Sequence, residues 1–211
     1  LPTGNTIDVF DIEGIGRIEV SLLDATTPGV FVRAEDLGLT LKETPGVIDA
    51  NHTAVVNLEQ IRAEAAVRMG ISPNRRAASE SSPLVPKVAL VSPPKEYLDL
   101  TGAPVPADSF DILSRMMSMG KTHRAYPLTG SMCLAVAARI SGTIPYEAAQ
   151  TKTGSLILGH ASGVQPVGAE VSETPEGPRA EKVIVHRTAR RLMEGSVLVP
   201  ASVFETAGTR A

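Results

Sequence analysis

Apolar and polar residues alternate through residues 17–23 (Arg-Ile-Glu-Val-Ser-Leu-Leu), the two-residue period of a half-buried strand. Thr26-Thr27-Pro28-Gly29 reads as a turn, and Val30-Phe31-Val32 as a second strand. A helix is expected next. Leu58, Ile61, Ala65 and Val67 supply an approximate apolar face, Asn57 is placed to cap the start and Gly70 to close the end. Residues 72–86, rich in Ser and Pro around Arg75-Arg76, read as a loop. Residues 87–92 predict a short buried strand stopped by Pro93-Pro94, and 95–108 an irregular connection. Residues 111–119 fit neither period well. Residues 129–140 are clearer: Met132 to Ala138 are apolar or small on every side, which predicts a helix buried all round, with Gly142 as its stop. Residues 155–159, 165–172, 181–187 and 190–199 are strand-like, with a turn at His160-Ala161-Ser162-Gly163. Strands on both sides of one buried helix predict an α+β domain in which a sheet curls around that helix.

Composition narrows the function classes. Of 211 residues, 43% are hydrophobic and 20% charged, enough for a packed core. Trp is absent, aromatics are 3%, the net charge is −3, and no run of Lys or Arg occurs, so a nucleic-acid surface is not expected. Cys133 is the single cysteine, which excludes an intrachain disulfide and a CxxC metal knuckle. No apolar run is long enough for a membrane helix, and no signal peptide is visible. The expectation is a soluble, cytoplasmic chain. Its start at Leu1-Pro2-Thr3, without Met, suggests a processed, trimmed or partial product.

Candidate chemistry is sparse. Gly120-Lys121-Thr122 resembles the end of a P-loop, but the required glycine five residues earlier is Arg115. Gly14-x-Gly16 lacks a third glycine and leads into a strand. Asn51-His52-Thr53 matches a glycosylation sequon, without a secretory signal to give it meaning. None of His52, His123, His160 and His186 forms an HxxxH or HExxH pair, so no metal is expected. His160 reads as a surface turn residue and His186 as a strand residue. His123, between Lys121 and the buried helix and next to Arg124, is either part of a solvated basic loop or the cationic wall of a pocket. Thr129-Gly130-Ser131 opens the helix. Its unpaired N–H groups and dipole suit an anion, Gly130 would let one approach, and a hydroxyl of Thr129 or Ser131 could add a bond. The plainer reading is that Thr129 caps its own helix. Cys133, buried among Leu134, Val136 and Ala137, reads as an inert core residue.

Several stretches taken in order carry a resemblance: Leu1-Pro2-Thr3-Gly4-Asn5, Val20 to Ala25, Ala34 to Thr40, Val85-Pro86-Lys87, Ser118 to Ala125, Thr129-Gly130 and His186 to Gly195. Together they resemble the C-terminal half of the 2-methylaconitate cis-trans isomerase family (PrpF type), which includes aconitate isomerases and 4-oxalomesaconate tautomerases. The resemblance implies a diaminopimelate epimerase-like fold: two pseudo-symmetric domains, each a curved mixed or antiparallel sheet around a central helix, with the active site in the cleft between them. It makes residues 111–119 a strand, and residues 1–211 a second domain whose last strands pack toward a missing N-terminal domain. It also implies cofactor-free movement of a double bond, or cis-trans inversion, in a small unsaturated di- or tricarboxylate by proton removal and return. Lys121, His123, Arg124, Thr129, Gly130 and Ser131 are the expected carboxylate contacts. No residue here is assigned as the base, because the family's reactive Cys and its Lys belong to the N-terminal domain. The family usually reads Asp-Ala-Gly-Asn-Pro where this chain has Asp24-Ala25-Thr26-Thr27-Pro28, which puts Thr27 where a cleft-lining Asn would stand. Two readings follow: an isomerase half, or a catalytically silent domain that binds a carboxylate or a partner. Alone, either would expose an apolar face and tend to self-associate.

Overall fold

The alternation at residues 17–23 marks the middle of a longer strand, Gly16–Asp24, which pairs antiparallel with a strand the pattern did not reveal, Asp8–Ile12. These are β2 and β1 of a computed structural model that describes residues 1–187 and 189–205; Thr188, within the 186–195 motif, and residues 206–211 lie outside the described residues. Acidic residues at Asp8 and Asp11 disguised β1. Asp8 is nevertheless buried, because the Thr3 hydroxyl (2.6 Å) and the Asn5 amide (3.0 Å) both donate to its carboxylate. That is a structural use for the Leu1 to Asn5 motif.

Strand β3 (Pro28–Arg33) pairs with β2 antiparallel and with β4 (Lys87–Ser92) parallel. A small hairpin, β5 (Tyr97–Leu98) and β6 (Pro104–Val105), stands apart from the main sheet, in the stretch read as irregular. Residues 112–118 are indeed a strand, β7 (Ile112–Ser118), which turns back into the two-residue β8 (Lys121–Thr122). Strands β9 (Ser155–His160), β10 (Gly163–Thr174) and β11 (Gly177–Val185) complete a mixed sheet of order β1-β2-β3-β4-β7-β9-β10-β11.

The sheet is covered on both faces, so its central strands read as apolar runs rather than alternations. Val30, Val32, Val88, Leu90, Leu113 and Met117 point into one core, while Phe31, Ala89, Val91, Ile112 and Met116 point into the other. The first core is closed by a short helix α1 (Pro45–Ala50) and by α2 (His52–Arg68), through Leu58, Ile61 and Ala65. Helix α2 begins before the expected Asn57. Asn51 is its cap, accepting from the Ala54 N–H at 3.1 Å, and Asn57 sits inside the helix. Gly70 ends it as expected: with φ +71 it lets its own N–H reach Val67 and the Ile71 N–H reach Ala66. The supposed loop at 72–86 contains a helix, α3 (Arg75–Ser81). It is held to α2 by the Arg75–Glu64 pair (2.6 Å) and by buried Arg62, which donates to the carbonyls of Ala78, Ser82 and Val85.

The second core surrounds α4 (Leu128–Ala137), whose residues from Cys133 to Ala137 are all buried. Helix α5 (Ile144–Ala148) follows, capped by Thr143. Helix α4 packs on β2 and β3 and also on β10 and β11, although β4, β7 and β9 lie between those pairs in the sheet. The sheet must therefore curl around it, as the α+β reading required. Two expectations at the end of the chain are corrected. Strand β11 stops at Val185, so His186 lies beyond it, and residues 190–199 form no strand. They have no paired neighbour, and Leu192, Met193, Val197 and Leu198 stand exposed.

Candidate functional site

Helix α4 starts one residue earlier than expected. Pro127 takes the cap position and no side chain caps the helix, so Thr129 is not its cap. Helix-start amides without a side-chain acceptor keep their affinity for an anion. Thr129 is exposed, and its carbonyl accepts the Thr26 hydroxyl at 2.8 Å. Gly130 and Ser131 are buried. The Ser131 hydroxyl donates to the Leu128 carbonyl (2.8 Å) and accepts from the Gln165 amide (3.1 Å), so it does not face an open site. A Cβ on Gly130 would lie 2.4 Å from Met116 Sδ, so this glycine serves close packing of α4 on β7 rather than ligand approach.

His123 is exposed, with its backbone N–H on the Met116 carbonyl at 2.9 Å. It lines a groove at the start of α4 with Tyr126, Pro127, Leu128, Gln165, His186 and Arg187. The groove thus gathers three basic side chains and one amide beside the uncapped helix start, without a carboxylate in its lining. Lys121 and Arg124 are exposed neighbours on β8 and the following loop but do not line it. The sequence assigns no site role to Gln165, His186 or Arg187. His186-Arg187 stood in the family motif, whereas a lone Gln on a strand carries no signal.

A more enclosed pocket lies between β4 and α5, lined by Arg33, Glu35, Val91, Ser92, Pro93, Ile144, Glu147 and Ala148. Its one cation, Arg33, is already paired with Glu19 (2.7 Å) and Glu147 (2.6 Å), so it has no free charge for a carboxylate. Cys133 packs against Gly29, and burial pushes its thiol up to about 12, in keeping with an inert core residue. His160 is corrected: it is buried at the end of β9, not on the surface, and its Nδ1 accepts from the Ser162 N–H. Among the described residues no cluster of His, Cys, Asp and Glu could hold a metal ion, and no helix is long and apolar enough to cross a membrane.

A profile of the family described as PrpF protein matches residues 1–200. The chain belongs to the PrpF family. Among its curated PrpF relatives, 3-methylitaconate isomerase of Eubacterium barkeri is 41% identical over 203 residues, covering 94% of this chain and 52% of that protein. The 2-methyl-aconitate isomerase of Shewanella oneidensis is 40% identical over 200 residues, covering 94% and 50%. The crystal structure of a methylitaconate-delta-isomerase superposes with a TM-score of 0.84 at 39% identity, covering 93% of this chain and 50% of that one. The chain therefore spans about half the length of the PrpF relatives it matches.

The PrpF pattern also bears on the β2–β3 turn. Thr26, where the family pattern has Gly, holds φ +100, a conformation that strains a β-branched residue. Changing Thr26 to Gly should raise stability by about 1 kcal/mol, the relief of strain exceeding one exposed hydrogen bond and the added chain entropy. Thr26→Ala keeps the strain and loses the bond, so its urea midpoint should fall. A Gly variant with a midpoint below that of the Ala variant would refute the strain.

Proposed function

We propose that this chain is the second half of a cofactor-independent isomerase of small unsaturated di- or tricarboxylates, and that the groove at the start of α4 holds one substrate carboxylate. The observation that carries the reading is the convergence of His123, His186, Arg187 and Gln165 on an uncapped helix start, in a chain whose relatives are named isomerases of such acids. Fixed dipoles and cations at that point would bind the ground state and also stabilise the charge that develops when a proton leaves carbon beside a carboxylate. The base and acid that move the proton come, on this reading, from the other half, which would supply the family's Cys and Lys. The exposed apolar residues between Leu192 and Leu198 suit a segment that packs onto that half.

The half-length span also favours a second reading, a domain that holds a carboxylate but turns nothing over. One assay separates the two. The 211-residue chain is mixed with cis-aconitate, alone and with a complete N-terminal half, and absorbance of the unsaturated acid is followed. No turnover alone and turnover on reconstitution are expected. No turnover in either case would leave the silent domain.

Binding tests the groove separately. His123→Ala should weaken aconitate about tenfold, the loss of roughly one charged contact, without shifting the melting temperature, because His123 is exposed. Unchanged affinity in both His123→Ala and Arg187→Ala would remove the groove from the proposal.

A further inference from the structure

Arg115 is the largest fully buried side chain among the described residues, at 2% exposure. Its guanidinium donates to the carbonyls of Ser114 (3.0 Å) and Leu41 (2.8 Å) and lies 5.0 Å over the Tyr97 ring. Its Nε has no hydrogen-bond partner, and no described carboxylate pairs with it. Glu43 is near enough to be felt but spends its carboxylate on the backbone and hydroxyl of Thr40. A buried cation without a counter-ion is costly, and a structural role as donor to two carbonyls could be filled without a charge.

Its place in the fold connects it to the groove. The two residues that flank Arg115 on β7 anchor the groove wall: Ser114 bonds the hydroxyl of Tyr126 at 3.0 Å, and the Met116 carbonyl accepts the His123 N–H. Tyr126 and His123 both line the groove. The Arg115 side chain leaves the strand on the opposite face, so it makes no contact there. Its charge is felt by Tyr126 in the groove wall, at reduced strength because it acts without contact. His160 and Tyr126 both respond to it: its charge, added to burial, helps to hold His160 neutral.

We propose that Arg115 is a positioning residue of the carboxylate site, a buried cation without an ion-pair partner whose field, from behind the groove, favours a bound polycarboxylate. This rests on the groove being the carboxylate site. The role is electrostatic at a distance, so it must scale with ligand charge. Guanidinium burial lowers the pKa only to about 10, so the charge is present at neutral pH.

The experiment measures affinity by calorimetry for crotonate, itaconate and cis-aconitate, which carry one, two and three carboxylates. The proteins are the unaltered chain, R115Q and R115K. R115Q should weaken crotonate about threefold and aconitate about twentyfold, a loss that grows with each charge. R115K should keep the charge dependence of the unaltered chain. An equal loss for all three acids in R115Q would mean that Arg115 only shapes the fold, and would overturn the proposal while the groove stands. Failure of the unaltered chain to bind any of the acids would instead remove the groove, and this inference with it. If R115Q does not fold, R115K decides: a flattened charge dependence in that variant overturns the proposal.

Discussion

Replacing Gly130 with valine will destabilise the domain by about 3 kcal/mol, the upper part of the range for overpacking a core. From the sequence alone Gly130→Val is expected to spare the fold and weaken a ligand, because the glycine is read as opening the helix start to an anion. The geometry reverses that expectation. Gly130 is buried, and the first added atom already lies 2.4 Å from Met116 Sδ and 2.8 Å from its Cε. Met116 is itself completely buried in the core around α4, with Ile112, Tyr126 and Leu134, so it has no open solvent to swing into. Gly130→Ala should cost less than valine. Shortening Met116 to Ala in the Gly130→Val background should recover part of the loss, since the two sites are in contact. Urea denaturation of the four proteins checks this. A valine variant within about 0.5 kcal/mol of the parent would show that the helix can shift off β7 at little cost.

Acid should strip roughly 2–3 kcal/mol from the fold between pH 7.5 and 4.5 through His160 alone. Burial, helped by the charges of Arg115 and His123, lowers this imidazole from 6.5 to about 4. A group whose folded pKa is depressed contributes its full stability above the unfolded value. The contribution is lost as pH falls from about 6.5 toward 4, because only the unfolded chain then takes up a proton. His160→Gln removes the titration. The parent should therefore lose more stability than the variant over that interval. Parallel losses in the two proteins would mean that His160 titrates normally in the folded state. The comparison also cancels the acid sensitivity of carboxylates such as Glu59 and Glu64, whose arginine partners hold them below the usual range.

The elements that could be read from the sequence are those whose pattern is local. The all-apolar stretch at residues 132–138 reads as a buried helix, and the run at residues 87–92 as a short buried strand. What the pattern does not reveal depends on which groups actually meet, some of them near in the chain and some distant. Asp8 and Asp11 argue against a strand until Thr3 and Asn5 are seen to satisfy Asp8. Asn51 looks like half of a glycosylation signal until its side chain is found on the Ala54 N–H. Helix α3 is too short to show a period and has one buried side chain, Ala78. Residues 190–199 look strand-like in composition, yet a strand needs a neighbour. The site divides in the same way. His123 could be proposed because it precedes a recognisable helix. Gln165 and Arg187 arrive from β10 and from beyond β11, and only the folded sheet brings them to the groove. Whether Gly130 is glycine for a ligand or for Met116 is a matter of which atoms face it, which no spacing reveals.

The curl of the sheet around α4 has a consequence for synthesis. The two walls of that core come from opposite parts of the chain: β2 and β3 leave the ribosome well before the helix, β10 and β11 well after it. The most apolar helix of the protein therefore emerges with only one side of its bed in place. Until translation passes Val185, it can pack on β2 and β3 while its other side stays uncovered. Covering that side then depends on β9 joining β7 in parallel, Ile112 opposite Leu158, a pairing slower than a hairpin. Codon-level pauses placed after α4 would lengthen that exposed interval, whereas pauses placed after β11 would not.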